Sequence, residues 1–287
     1  MLYTLGERIA PNVFDLKPET WPLNPWLTQQ PVSIGLFDSG LGGLSVARAI
    51  RTALPHHDLL YLADTAFCPY GPLPVAQVRA RALACAHWLI GQGARIVVVA
   101  CNTATSAAVE LLRTTLPVPV VGMEPGVKPA VATTRTGRVA VLATSGTLTG
   151  DRFAHLVKRF GNGVTVRTVA CPAMVQLVEA GELAGPQAAA VVADYVAPLV
   201  ADGVDTLVLG CTHFPPLRAL IAAAAPGATI IDTGPAVAAQ TARVAAAARI
   251  SGGAGRVTFA TTGDPVQVAP ALGRVWGEAV LVTRAAC

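Results

Sequence analysis

The chain has 287 residues, 53% of them hydrophobic and 13% charged, with a formal net charge of +4. That length allows one large domain or two ordinary ones. The apolar runs break at Arg, Asp or Gly well short of the ~18 residues a membrane span needs, and the basic residues are scattered, so neither a membrane protein nor a nucleic-acid binder is indicated. Cysteines at 68, 85, 101, 171, 211 and 287 form no CxxC pair, and Glu7, Asp15 and several prolines interrupt any signal-peptide core. The chain reads as cytoplasmic, with reduced thiols.

Residues 1–31 hold Pro11, Pro18, Pro22, Pro25 and Pro31 together with Trp21 and Trp26, and no periodicity runs through them. They read as an N-terminal extension, either draped on the surface or docking a protein partner through the tryptophans. A strand over Val32–Phe37 then enters DSGLGG, where Asp38, Ser39 and the glycines open a helix and let backbone N–H groups approach an anion. The turn is neither the dinucleotide fingerprint nor a P-loop. Strand Leu59–Ala63 leads to the loop DTAFCPYG, and helix Val75–Gly91 follows. In RIVVVACNTATS a Val-rich run has the length of a buried parallel strand. Cys101 ends it, and Asn102 or Thr103 is placed to cap a helix reaching about Thr115. Strand Val118–Val121 ends in GMEPG, a crossing point between domains.

The second half repeats this plan. Strand Arg138–Leu142 gives ATSGTLTG, an echo of FDSGLGG. Strand Val164–Val169 ends in Cys171-Pro172, opening a helix that carries Glu179. Helix Gln187–Val200 leads to a strand Val204–Leu209 and to GCTHFPP, with Cys211 at the strand end and Pro215 or Pro216 in the first turn of a helix. Both landmarks recur at nearly one spacing. The pattern predicts an α/β fold of two pseudosymmetric domains with mainly parallel sheets and the site in the cleft between them. The first domain takes residues 32–125 plus 236–287, and the second 126–235. The Ala-rich Pro235–Ile250 and strands near Val257–Ala260 and Ala279–Val282 return to the first.

Both cysteines sit where open α/β sheets place their ligands, and helix N-termini beside them are expected to lower the thiol pKa. Two thiols on opposite faces of a carbon, one ionised and one not, supply the matched base and acid that inversion requires. Asp38, His213 and Glu179 could hold or exchange their protons. Lys17, Lys128 and Lys158 lie away from the motifs, which argues against a pyridoxal Schiff base and for proton transfer without a cofactor. Cys101, Cys211 and His213 could hold zinc, but no HxH, HExxH or CxxC pair supports it, and no metal is expected. Cys68, Cys85, Cys171 and Cys287 read as small packing residues.

Together, IGLFDSGLGGLSV, the CPYG loop, VACNTA, GMEPGVKPA, CPAMVQLVEAG and GCTHFPPL resemble the glutamate racemases of the cofactor-independent aspartate/glutamate racemase superfamily, in that family's order from roughly Ser33 to Asp232. The resemblance implies interconversion of L- and D-glutamate, supply of D-glutamate for bacterial peptidoglycan, and commonly a homodimer. It matches Cys101 and Cys211 to the catalytic cysteines, Cys211 taking the proton from L-glutamate and Cys101 from D-glutamate. It matches Asp38 with Ser39, the Pro69-Tyr70-Gly71 stretch, Asn102 with Thr103, Thr212 with His213, and Thr147 to substrate-binding positions, and Glu179 to an assisting acid near the second cysteine. Phe214 and Phe153 depart from the family's aromatic hydroxyls. Some extended relatives are activated by a cell-wall precursor nucleotide, which makes residues 1–31 a candidate for such an effector. An aspartate-specific or broader amino-acid racemase, or a regulatory binding protein on a racemase scaffold, are the alternatives.

Overall fold

Short runs of Val, Leu and Ile, apolar on both faces, build two parallel sheets. The computed structural model describes residues 34–161 and 163–287. The extension 1–31 and the expected strand start at Val32 lie outside the described residues. The first half runs β1 (Ile34–Asp38), α1 (Leu44–Ala53), β2 (Leu59–Ala63), α2 (Val75–Gly91), β3 (Val97–Val99), α3 (Asn102–Thr115) and β4 (Val120–Val121). The second runs α4 (Val127–Thr133), β5 (Arg138–Ala143), α5 (Ser145–Leu148), α6 (Asp151–Phe160), β6 (Thr165–Ala170), α7 (Pro172–Ala180), α8 (Pro186–Ala201), β7 (Thr206–Leu209), α9 (Arg218–Ala224) and β8 (Thr229–Asp232). Then come α10 (Gly234–Ala247), β9 (Val257–Thr261), α11 (Pro265–Trp276) and β10 (Val282–Arg284).

The strand orders are β10-β9-β2-β1-β3-β4 and β6-β5-β7-β8, with parallel ladders throughout. Within each half the order is the same: second strand, first, third, fourth. The sequence echo is therefore a repeat of topology as well as of motif. Strands β9 and β10 extend the first sheet beyond β2. Helices cover both faces, which is why β1, β2, β3 and β7 are buried at every residue and read as unbroken apolar runs. One core joins the halves, with Leu36, Tyr61 and Val98 continuous with Met174, Val192, Leu207 and Phe214.

Two differences from the sequence reading have local causes. The last strand is Val282–Arg284, not Ala279–Val282, because Gly277 ends α11 in the left-handed region and the chain reaches register with Phe259 only at Val282. As an edge strand it tolerates Thr283 and Arg284. The four-residue strand β8 (Thr229–Asp232) went unread, since TIID is too short to show a period.

Asp205, just before β7, ties that strand to the loop entering β5. Its carboxylate accepts from the Thr134 and Thr206 hydroxyls at 2.6 and 2.9 Å and from the Arg135 and Thr136 amides at 2.7 and 2.9 Å. Desolvation alone would raise its pKa, but these four donors hold it well below the usual carboxylate range. A group with a depressed folded pKa contributes stability above its unfolded pKa and loses it as pH falls toward the folded value. Asp205→Asn is expected to cost about 1–2 kcal/mol at neutral pH. That gap narrows as pH drops below about 4, which urea unfolding across pH measures.

Candidate active site

In each half the chain leaves neighbouring strands in opposite directions, between β1 and β3 and again between β5 and β7. Such switch points open a crevice at the carboxyl ends of the strands. Asp38 ends β1 and Cys101 follows β3 by two residues; Thr144 follows β5 and Cys211 follows β7.

Asp38 is fully buried. Its Oδ1 accepts from the Ser39 amide at 2.7 Å and the Ser39 hydroxyl at 3.3 Å, and its Oδ2 from the Gly43 amide at 2.5 Å. From the other half, Thr212 Oγ1 donates to the same Oδ2 at 3.2 Å. Burial raises the acid's pKa, while His213 and the Gly43 amide pull against it. Glycines let this turn press against the second half: a Cβ at Gly40 would overlap the Glu179 carboxylate, and one at Gly42 the His213 ring.

Cys101 is itself the N-cap of α3, with extended backbone and Sγ accepting from the Ala104 amide at 3.5 Å. The sequence placed the cap on Asn102 or Thr103; both lie inside the helix. Cys101 Sγ also donates to Ser39 Oγ at 3.9 Å. The expected lowering of its pKa by the helix terminus is overturned. Burial and the adjacent Asp38 charge push the thiol up, outweighing the single Ala104 amide. At rest Cys101 is protonated.

Beyond β7 the chain makes a turn and a single 3₁₀ turn, Pro215–Leu217, before α9. The prolines thus open a tighter element than the helix expected there, and Cys211 has no regular helix at its shoulder. Instead its Sγ lies 3.6 Å from His213 Nδ1. His213, buried at 2% exposure, meets Glu179 Oε1 through Nε2 at 2.6 Å, and the same oxygen accepts from the Leu41 amide at 2.7 Å. Burial alone would lower the His213 pKa, but Cys211, Cys68 and Glu179 raise it well above the usual value. For Glu179, burial raises and His213 more than reverses the shift, leaving it low. The pair is charged, His213 cationic and Glu179 anionic.

One chain of buried polar groups therefore runs from sulfur to sulfur: Cys101, Ser39, Asp38, Thr212, His213, Cys211, with steps of 3.9, 3.3, 3.2, 3.5 and 3.6 Å. Residues 44–241 match the family described as Asp/Glu/Hydantoin racemase. The chain belongs to that racemase family. It is 48% identical over 240 residues to the glutamate racemase of Herpetosiphon aurantiacus, covering 82% of this chain and 94% of the relative. It is 48% identical over 253 residues to that of Pseudomonas aeruginosa, covering 87% and 96%. Among solved structures, glutamate racemase from Thermus thermophilus in complex with beta-chloro-D-alanine superposes with a TM-score of 0.77 at 37% identity, over 89% of this chain and 96% of that one. The Escherichia coli enzyme, in complex with L-glutamate and the activator UDP-MurNAc-ala, gives 0.79 at 31%, over 88% and 98%. The protein is an amino-acid racemase.

Around the racemase's sulfur-to-sulfur chain the remaining predicted residues fall into two groups. Thr103, at the start of α3, reaches across to the second half: its Oγ1 is 2.7 Å from Thr144 Oγ1 and 3.4 Å from Thr147 Oγ1. Asn102 donates to Met123 Sδ at 3.9 Å, while its buried Oδ1 has no protein partner among the described residues. The Pro69–Gly71 stretch faces the same side, with Ser145 Oγ donating to the Gly71 carbonyl at 3.2 Å. Tyr70 differs in that its phenol is buried and donates to Asp64, away from the threonines. A cavity of about 590 Å³ opens between Cys68, Pro69 and Gly71 on one wall and Thr144, Val175 and Glu179 on the other, within the ordinary range for small-molecule sites.

The sequence reading missed three participants. Thr144 caps α5 and completes the hydroxyl cluster. Cys68, dismissed as packing, has its ligand-capable sulfur within 4.8 Å of the Glu179 and His213 donor atoms. Asp64 anchors Tyr70 and Arg81 beneath the loop. An acid at the end of β2, mirroring Asp38 at the end of β1, was the available signal for the last.

Proposed function

We propose that this racemase interconverts L- and D-glutamate without a cofactor by moving a proton between two cysteines, one on each side of the α-carbon. The reading is carried by Cys101 and Cys211 standing at matching switch points of two sheets with one topology, at opposite ends of a buried hydrogen-bonded chain. His213 Nδ1 is the group placed to hold the proton that Cys211 gives up. The resulting thiolate removes Hα from L-glutamate, and the Cys101 thiol, protonated at rest, delivers a proton to the opposite face. Product departure leaves the two sulfurs with their protonation states exchanged. The path through Ser39, Asp38, Thr212 and His213 returns the enzyme to its starting form. Asp38 is placed for the substrate ammonium. Asn102, Thr103, Thr147 and the backbone at Pro69–Gly71 are placed for its carboxylates, and the helix α3 N-terminus favours one of them. The relatives' name, glutamate racemase, supports glutamate as the substrate; the supply of D-glutamate to peptidoglycan, by a cytoplasmic homodimer, is part of the same proposal.

The purified chain is expected to abolish the circular dichroism signal of L-glutamate, and to do so after dialysis and in hydroxylamine. L-Aspartate, one methylene shorter, turns over about 10–200-fold less efficiently. Equal or faster turnover of aspartate would move the assignment to a broader racemase. No turnover of either would end it.

A further inference from the structure

Cys68, Glu179 and His213 come from three separate elements, the loop after β2, helix α7 and the turn after β7, and their ligand-capable atoms lie within 4.8 Å of one another. We propose that they form a zinc-binding site in which Cys68 Sγ, His213 Nε2 and a Glu179 carboxylate oxygen hold Zn²⁺, with water in the fourth position. The donor set points to zinc. A thiolate, an imidazole and one carboxylate suit a borderline-soft ion, whereas magnesium and calcium favour all-oxygen sets, of which the cluster offers only Glu179.

The surroundings orient each donor. Cys211 Sγ faces His213 Nδ1 at 3.6 Å, which keeps that nitrogen engaged and turns Nε2 toward Cys68 and Glu179. The Leu41 amide fixes the Glu179 carboxylate at 2.7 Å. Tetrahedral zinc, with Zn–N and Zn–O near 2.0–2.2 Å and Zn–S near 2.3 Å, needs donor separations of about 3.3–3.6 Å. The 2.6 Å His213–Glu179 contact must therefore open and Cys68 must close in. The cavity of about 590 Å³ has Cys68 and Glu179 in its wall and gives a hydrated ion its way in.

Binding exchanges protons for metal. The Cys68 S–H and the His213 Nε2–H each release a proton to solvent, Glu179 is already ionised, and two anionic ligands balance the dication. Because protons leave as the metal enters, the site takes metal more readily as pH rises. Because zinc occupies Nε2 and fixes His213 as a neutral imidazole, His213 no longer supplies the cation that holds Cys211 ionised. The site acts as a reversible brake. That consequence rests on the two-cysteine reading, whereas metal binding itself does not.

The test uses Co²⁺ as a spectroscopic probe on the full chain after chelator treatment. One equivalent is expected to give tetrahedral visible bands and a near-ultraviolet sulfur-to-cobalt band, both displaced by Zn²⁺. Cys68→Ser loses the sulfur band and binds zinc at least 10-fold more weakly, while the double variant Cys101→Ser/Cys211→Ser keeps the band. A band that follows Cys101 and Cys211, one indifferent to Cys68, or no saturable band would overturn the site. In the parent, zinc inhibits racemisation and a chelator restores it, and Cys68→Ser needs at least 10-fold more zinc for the same inhibition. If the spectra hold and inhibition is absent, the site stands and the role given to His213 falls.

Discussion

Cys101→Ser and Cys211→Ser are each expected to lower kcat/KM for racemisation by about 10²–10⁴-fold, the range that a positioned acid–base group supplies. A serine hydroxyl does not ionise in this range, so it can neither remove Hα nor readily return a proton. The losses cannot be assigned to unfolding. At 101 a serine is the better helix cap, and its oxygen takes over the Ala104 amide that Sγ now holds at 3.5 Å. At 211 a hydroxyl can still face His213 Nδ1. Racemisation in either direction needs both sulfurs, so it falls for both enantiomers in both variants. The faces separate in a reaction that needs one base only, elimination from glutamate bearing a leaving group at Cβ. There Cys211→Ser should cripple the L-substrate and spare the D-substrate, and Cys101→Ser the reverse. Parent-rate racemisation by either variant, or equal loss on both faces, contradicts the assignment of one sulfur to each side.

How much of this could be read from the chain depends on what kind of contact makes each feature. The parallel strands, the strand-end cysteines and the doubled plan follow from local composition, because a strand buried on both faces must be apolar throughout. The cap at Cys101 was misplaced because sulfur is a weak acceptor and cap preferences favour Asn and Thr. The direction of the Cys101 pKa was misjudged for a deeper reason. Helix-terminus effects are visible in sequence, whereas burial and the charge of Asp38 come from an element more than sixty residues away. Glu179 was legible as a candidate acid from its helix and from the family's motif, but its contact with His213, which joins α7 to the turn after β7, was not. Cys68 had no signal of its own, since its neighbours at 179 and 213 meet it only in the folded chain.

The loop that carries Pro69–Gly71 rests on a buried ion pair, and breaking it is expected to produce the largest loss of stability. Asp64 has no exposed side-chain surface and accepts from Arg81 Nε at 2.9 Å and Nη2 at 2.8 Å, from Thr262 Oγ1 at 2.8 Å, and from the Tyr70 phenol. Arg81 is 11% exposed and stacks over Phe67 at 4.0 Å. Burial by itself would lower its pKa, but the bonds to Asp64 raise it, so it stays charged. Arg81→Met keeps the stem's packing and strands the carboxylate, at a cost of about 3–5 kcal/mol. At ~2–4 °C per kcal/mol in a chain approaching this size, the melting temperature drops by on the order of 10 °C. Removing both charges, Arg81→Met with Asp64→Asn, should recover a large part of that loss, because the penalty lies in the unpaired charge more than in the missing attraction. Since Tyr70 hangs from the same carboxylate, Arg81→Met is also expected to raise KM more than it lowers kcat, the loop meeting the substrate and not the reacting carbon. Thermal unfolding of the two single variants and the double, beside their kinetics, decides it. Purely additive losses would mean that the pair is two independent packing contacts, and an unchanged KM would detach the loop from substrate binding.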